Sequence, residues 1–272
     1  MAVDKIIDID KAFKAKNPRL YRFLPGFVLW IIRRIVHQKE INIILHDLKG
    51  LEGVAFFEKY CQIKNIEVQI IGKENIPENT RCIFASNHPL GGPDGIIFSY
   101  GVGRLVKEFK FLVNDILLYL PGVKGVFLPV DVVGKKNSRE NILPIDAAYN
   151  SDQQIFIFPA GMVSRKQNGV VKDLEWKKSF VSAAIKYKRD IIPVHISGRN
   201  SNFFYNLANF RKKIGIKANI EMLFLVHEFL KHKNTKFQIT IGKPISYTEL
   251  QNGERPQVWA ERIKNITYSL VK

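Results

Sequence analysis

A chain of 272 residues, 46% of them apolar, is long enough to bury one sizeable core, so a single continuous fold is expected. Lysine and arginine outnumber aspartate and glutamate by 42 to 25, a formal +17, which implies an anionic partner: a phospholipid surface, nucleic acid or an acidic carrier protein. Cys61 and Cys82, with no CxxC pair and no histidines clustered around them, exclude a disulfide scaffold and a cysteine zinc site and fit a reducing compartment.

The opening MAVDKIIDIDKAFKAK mixes acids and bases where a secretory signal would carry an apolar core, so secretion is not expected. FLPGFVLWII, Phe23 to Ile32, is broken by Pro25 and Gly26 and closed by Arg33 and Arg34, and at ten residues it is too short to span a bilayer. Phe23, Phe27, Trp30 and Ile31 recur in it at helical spacing, with Arg19 and Arg22 ahead of them. Two readings fit: a helix packed on its own domain, or one resting on a membrane surface.

The first 63 residues read as helices, since Ile41, Ile44, Leu45 and Leu48 share one helical face. From Ile66 the period changes to short runs rich in Ile, Val and Phe: IEVQII (66–71), CIFAS (82–86), FKFLV (109–113), VFLPV (126–130), QIFIF (154–158), IIPVHI (191–196) and FQITI (237–241). These predict strands. Helical patterns lie between several of them, as with Trp176, Phe180, Ala184 and Tyr187, or Trp259, Ile263, Ile266 and Leu270 at the C-terminus. The expectation is an α/β fold, a central mostly parallel or mixed sheet flanked by helices over residues 66–272. Residues 1–65 form a helical N-terminal extension that is a candidate for membrane-surface contact.

One loop carries chemistry. NHPLGGPDG, residues 87–95, follows the strand RCIFAS and precedes the apolar stretch GIIFSYGVGRL, which puts it at the C-terminal edge of the sheet, where ligands of α/β proteins bind. A histidine acts as a general base when its second ring nitrogen is held, and Asp94 is spaced to hold His88. Gly91 and Gly92 let the backbone turn back while Pro89 and Pro93 restrict it, and free N–H groups there suit a developing oxyanion. Asn87 is read as shaping the loop. The plain alternative is a turn whose Asp caps the next helix and whose His is a surface residue.

Three further strand ends carry polar or basic groups. FIFPAGMVSRKQNG (156–169) runs into a turn followed by Ser164, Arg165 and Lys166; GVFLPVDVVGKKNSREN (125–141) ends in Lys135, Lys136, Arg139 and Asn141; IIPVHISGRNS (191–201) ends in Gly198, Arg199 and Asn200. Backbone N–H groups of such turns hold phosphates or carbonyls, and Arg165 suits a charge-assisted contact. His195, His37, His46, His227 and His232 are given no catalytic role, and no spacing suggests a metal.

In this order the segments resemble the four blocks of the glycerolipid acyltransferase superfamily, of the PlsC-like lysophosphatidic acid acyltransferase type. The resemblance covers roughly residues 66–245 and includes the closing IGKPI. Two departures stand out: five residues separate His88 from Asp94 where the common form has four, and Ala160 replaces the Glu of the common FPEG block. With the downstream Trp176, both departures are similar to a branch holding hemolysin-type proteins and the acyltransferases of ornithine- and glycine-type aminolipids.

The resemblance implies transfer of a fatty acyl group from acyl-CoA or acyl carrier protein to the hydroxyl of a lysolipid, either 1-acylglycerol-3-phosphate or a monoacylated aminolipid. His88 would be the base and Asp94 its orienting partner, with no covalent intermediate and no bound cofactor. Gly91, Gly92 and Gly161 would supply oxyanion donors. Phe158, Pro159, Ser164 and Arg165, with Lys135, Arg139 and Asn141, would line the substrate site, Arg165 being favoured for an anionic head group because its planar fork binds two oxygens. Seven basic residues between Arg211 and Lys236, against Glu221 and Glu228, suit an anionic membrane surface or an acidic carrier protein. A peripheral protein on the cytoplasmic face is therefore expected. The competing readings are a non-catalytic lipid-binding protein with this fold and, with no recognisable reading module in the sequence, a nucleic-acid-binding protein.

Overall fold

The computed structural model describes residues 5–113, 122–123, 125–130, 139–251 and 253–271, with the backbone alone for 16, 20 and 139–142. Five helices precede the first strand: α1 (Ile9–Lys16), α2 (Pro18–Phe23), α3 (Gly26–Ile35), α4 (Gln38–Asp47) and α5 (Gly53–Lys64). Asp8 caps α1, its carboxylate accepting from the N–H groups of Asp10 and Lys11, which have no intrahelical acceptor. Arg33 of α3 reaches back to Asp10 at 2.7 Å, and the Asn42 amide brackets the backbone of Ile7, so α1, α3 and α4 are tied together.

Pro25 divides the apolar stretch read above: α2 stops at Phe23 and α3 starts at Gly26, because proline lacks an N–H and restricts the residue before it. Only Leu29 of α3 is buried. Phe23, Phe27, Trp30 and Ile31 are 81, 66, 54 and 41% exposed. That face is not packed on the domain.

All seven runs predicted to be strands are strands: β1 (Glu67–Ile71), β2 (Cys82–Ser86), β3 (Phe109–Val113), β4 (Phe127–Pro129), β5 (Gln154–Ile157) and, beyond a hairpin of β6 (Arg165–Gln167) and β7 (Val170–Lys172), β8 (Asp190–Ile196) and β9 (Lys236–Ile241). The sheet order is β1-β9-β8-β2-β5-β3-β4. Every pairing in it is parallel except β8 with β9. Central β2 is buried along its whole length, as expected of a strand covered on both faces. The hairpin was not anticipated, although Asn168-Gly169 between two short runs signals one; both residues have positive φ, 49° and 82°, as a two-residue hairpin turn requires.

The remaining helices are α6 (Gly92–Gly101), α7 (Arg139–Asn150), α8 (Ser179–Tyr187), α9 (Asn202–Lys213), α10 (Leu225–Lys231), α11 (Tyr247–Leu250) and α12 (Pro256–Ser269). One core packs α5 and α6 on the sheet through Phe56, Phe57, Ile97 and Phe98. The other packs α8 and α12 on the opposite face through Phe180, Ala184, Trp259 and Ile263. Trp176 lies three residues ahead of α8 rather than within it, yet is fully buried in that second core. Arg189, also fully buried, donates to the carbonyls of Tyr149, Gln153, Ala148 and Ser151 at the end of α7, where a helix leaves acceptors unpaired. Burial pulls its guanidinium down to about 10.

Candidate active site

Because β2, β5 and β8 run the same way, their C-terminal ends share one edge of the sheet. The segments that follow them meet there. Asn87 donates its amide to Ile196 O at 2.9 Å and accepts from Ile196 N at 2.7 Å, joining the ends of β2 and β8. Its role is that of a loop anchor. Asn200, after β8, donates to Pro89 O.

His88 Nδ1 lies 2.9 Å from Asp94 Oδ2, with side-chain exposures of 18% and 0%. A carboxylate there fixes the proton on Nδ1 and leaves the Nε2 lone pair available, and no described residue hydrogen-bonds Nε2. The ring stacks on Phe158, centroids 4.0 Å apart and planes 13° off parallel. Asp94 is the third residue of α6 and reaches back over its start: Oδ2 accepts from Leu90 N at 2.7 Å and Gly91 N at 3.0 Å. Both readings of Asp94 hold together, since one oxygen caps the helix and holds the histidine. Burial pushes the Asp94 carboxyl up, while the bonds from His88, Leu90 and Gly91 pull it back in part.

The three glycines named as oxyanion donors differ. Gly91 N–H is committed to Asp94, and Gly161 N–H to Phe158 O at 2.9 Å. Gly92 opens α6, where an N–H has no intrahelical acceptor. Of the three, that donor alone is open.

Ser164 and Arg165 turn inward rather than toward solvent, at 1% and 3% exposure. Ser164 N donates to His88 O at 2.7 Å, and its hydroxyl donates to Asp173 at 2.5 Å. Arg165 Nη2 donates to Glu221 Oε1 at 3.0 Å and the guanidinium lies over Phe204. Arg211 takes the same carboxylate, Nε to Oε2 at 2.5 Å. Burial pushes the Glu221 carboxyl up, but the bond from Arg211 and the charge of Arg165 outweigh it and hold the group below its ordinary value. Arg165 Nη1 is buried with no partner among the described residues. Pro159 sits beneath the turn, its carbonyl accepting from Lys177 N.

Lys135 and Lys136 lie outside the described residues, and Arg139 and Asn141 fall in α7, where only the backbone is described. Asp173 and Glu221, both buried against this loop cluster, were not singled out in the sequence. No local spacing marks them, since their partners His88 and Arg165 lie 85 and 56 positions away.

A paired imidazole and carboxylate with an open Nε2, beside a helix start with a free N–H, can take a proton from a hydroxyl and stabilise an oxyanion. Residues 11–272 match the model of a family described as acyltransferase, and the chain belongs to that family. The acyltransferase activity expected from the sequence blocks is thereby borne out. Two curated relatives, from Bacteroides thetaiotaomicron and Phocaeicola vulgatus, are both named lyso-glycine lipid O-acyltransferase. Each is 44% identical over 266 residues, covering 97% of this chain and 97% and 95% of theirs. The crystal structure of the 1-acyl-sn-glycerophosphate acyltransferase PlsC from Thermotoga maritima aligns with a TM-score of 0.49 and 19% identity, over 96% of this chain and 91% of that one.

Proposed function

We propose that this acyltransferase moves a fatty acyl group from a thioester, on coenzyme A or acyl carrier protein, to the hydroxyl of a lyso-glycine lipid. The observation that carries the mechanism is the His88–Asp94 pair with Nε2 open; the acceptor is taken from the names of the relatives at 44% identity. Nε2 removes the hydroxyl proton as the oxygen attacks the thioester carbonyl. The tetrahedral oxyanion is stabilised by Gly92 N–H, and its collapse expels a thiolate that takes the proton back from the imidazolium. Asp94 holds the tautomer throughout, and no acyl-enzyme forms.

Phe158 sets the plane of the catalytic ring, and Arg165, buried and paired with Glu221, braces the strand that follows the site turn rather than reaching the acceptor's anionic head group. The protein works at an anionic membrane surface, on the cytoplasmic face. Support comes from the apolar face of α2 and α3 flanked by Arg22, Arg33 and Arg34, and from exposed Phe210 and Ile214 beside Lys212 and Lys213. No helix among the described residues is long and apolar enough to cross a membrane.

The test is transfer of radiolabelled palmitate from palmitoyl-CoA and from palmitoyl-acyl carrier protein to lyso-glycine lipid, lyso-ornithine lipid and lysophosphatidic acid. Product is expected with the glycine lipid. It should fall about 10²- to 10⁴-fold in His88→Ala, the usual loss of a general base. Turnover retained in His88→Ala would overturn the mechanism, and product only with lysophosphatidic acid would overturn the acceptor.

A further inference from the structure

Asp173 follows the β6–β7 hairpin and is 4% exposed. Its Oδ1 accepts from His88 N at 3.2 Å and from the Ser164 hydroxyl at 2.5 Å, while Oδ2 accepts from Trp176 Nε1 at 2.8 Å. Asp173 N in turn donates to the Tyr268 hydroxyl of α12 at 2.8 Å. No lysine or arginine pairs with this carboxylate among the described residues, and a buried negative charge without a cation is costly unless donors surround it. Three donors do. Two of them belong to the segments that carry the site: the backbone of His88 and the side chain beside Arg165.

With Ser164 N donating to His88 O, both backbone groups of His88 are gripped by the 164–173 segment, while Asp94 and Phe158 fix its ring. A packing role alone would be served by a neutral side chain of the same size. What the carboxylate adds is two acceptor oxygens for three donors, in a position that sets the height of His88 above the sheet.

We propose that Asp173 is a positioning residue for acyl transfer: it fixes the backbone from which His88 presents Nε2 and couples that backbone to Ser164, at the entry to β6. The inference rests on the assignment of His88 as base. It also gives Trp176 a function, since the indole N–H holds Oδ2 and so aims Oδ1 at His88 and Ser164.

The test compares wild type, Asp173→Asn, Trp176→Phe and His88→Ala, measuring kcat and KM for palmitoyl-CoA and lyso-glycine lipid together with the thermal midpoint. An amide offers one acceptor oxygen, so whichever way the substituted side chain turns, at least one of the three donors loses its acceptor. Displacing a catalytic group by about 1 Å costs about 100-fold, so kcat of Asp173→Asn should fall by about that factor with KM within about twofold. Trp176→Phe, which keeps a ring in the core and removes the donor to Oδ2, should lower kcat in the same sense. Wild-type kcat in Asp173→Asn beside an inactive His88→Ala would overturn the positioning role and leave the base intact. Parallel loss of kcat, KM and thermal midpoint in both Asp173→Asn and Trp176→Phe would reduce Asp173 to a fold residue and overturn it too. Full activity in His88→Ala would instead remove the base assignment on which the inference stands.

Discussion

Gly91 has φ 88° and ψ −124°, a backbone state open to glycine and strained for other residues. A Cβ there would lie 3.2 Å from Leu225 Cδ2, so the flexible leucine could give way while the backbone strain remained. Gly91→Ala is therefore expected to lose about 1–3 kcal/mol of stability, and acyl transfer with it, because the Leu90 and Gly91 N–H groups that seat Asp94 share this turn. A thermal melt beside the transfer assay checks this, and an unchanged melting point would show that the turn bends without strain. His88 and Asp94 were legible in the sequence because their partnership spans six positions and glycines and prolines announce the turn between them. The inward course of Ser164 and Arg165 was not. Their partners Asp173 and Glu221 arrive from other segments, and a Ser-Arg pair after a Pro-Ala-Gly turn reads the same whether it faces solvent or the core.

At the scale of elements, α3 shows how an apolar face can be read correctly and still leave its partner open. Spacing alone grouped Phe23, Phe27, Trp30 and Ile31, but helical periodicity does not say whether such a face packs on its own domain; their exposure in the fold shows that this one does not. The Arg34 guanidinium lies 5.2 Å from the Trp30 ring centre, so a cation and an aromatic share the rim, the pairing suited to an interface between lipid and water. Phe27→Glu and Trp30→Glu are expected to weaken sedimentation with phosphatidylglycerol vesicles while leaving the melting point within about 2 °C, as surface substitutions are nearly neutral for stability. Unchanged sedimentation of the double variant would remove α3 from the membrane contact. The strands were legible because each is a short β-branched or aromatic run bounded by turn residues. The β6–β7 hairpin was not, since Arg165–Gln167 carries no apolar alternation and only Asn168-Gly169 betrays it.

For the molecule as a whole, acid should be destabilising before any salt bridge is lost. Burial pulls His195 down to about 4 and also lowers His227 and His232, so the fold favours their neutral forms. Unfolding frees them to protonate at about 6.5. For His195 the contribution is complete above that pH and is lost as pH falls from 6.5 to about 4, and His227 and His232 act in the same direction. Asp94, raised by burial, acts in the opposite sense, so single substitution isolates the effect: melting points at pH 7, 5.5 and 4 should fall less in His195→Phe than in wild type. Equal slopes for the two proteins would contradict this. The placement of β9 between β1 and β8 carries a different consequence. Glu67 pairs with Lys236 and Val68 with Phe237, so β1 leaves the ribosome long before the strand that binds it, and its hydrogen-bonding edge stays unmatched through most of synthesis. Pairings so distant along the chain close slowly and leave strand edges open to the wrong partner. β1 must therefore wait as an unpaired flank, vulnerable to aggregation, until Lys236–Ile241 emerges and locks the sheet.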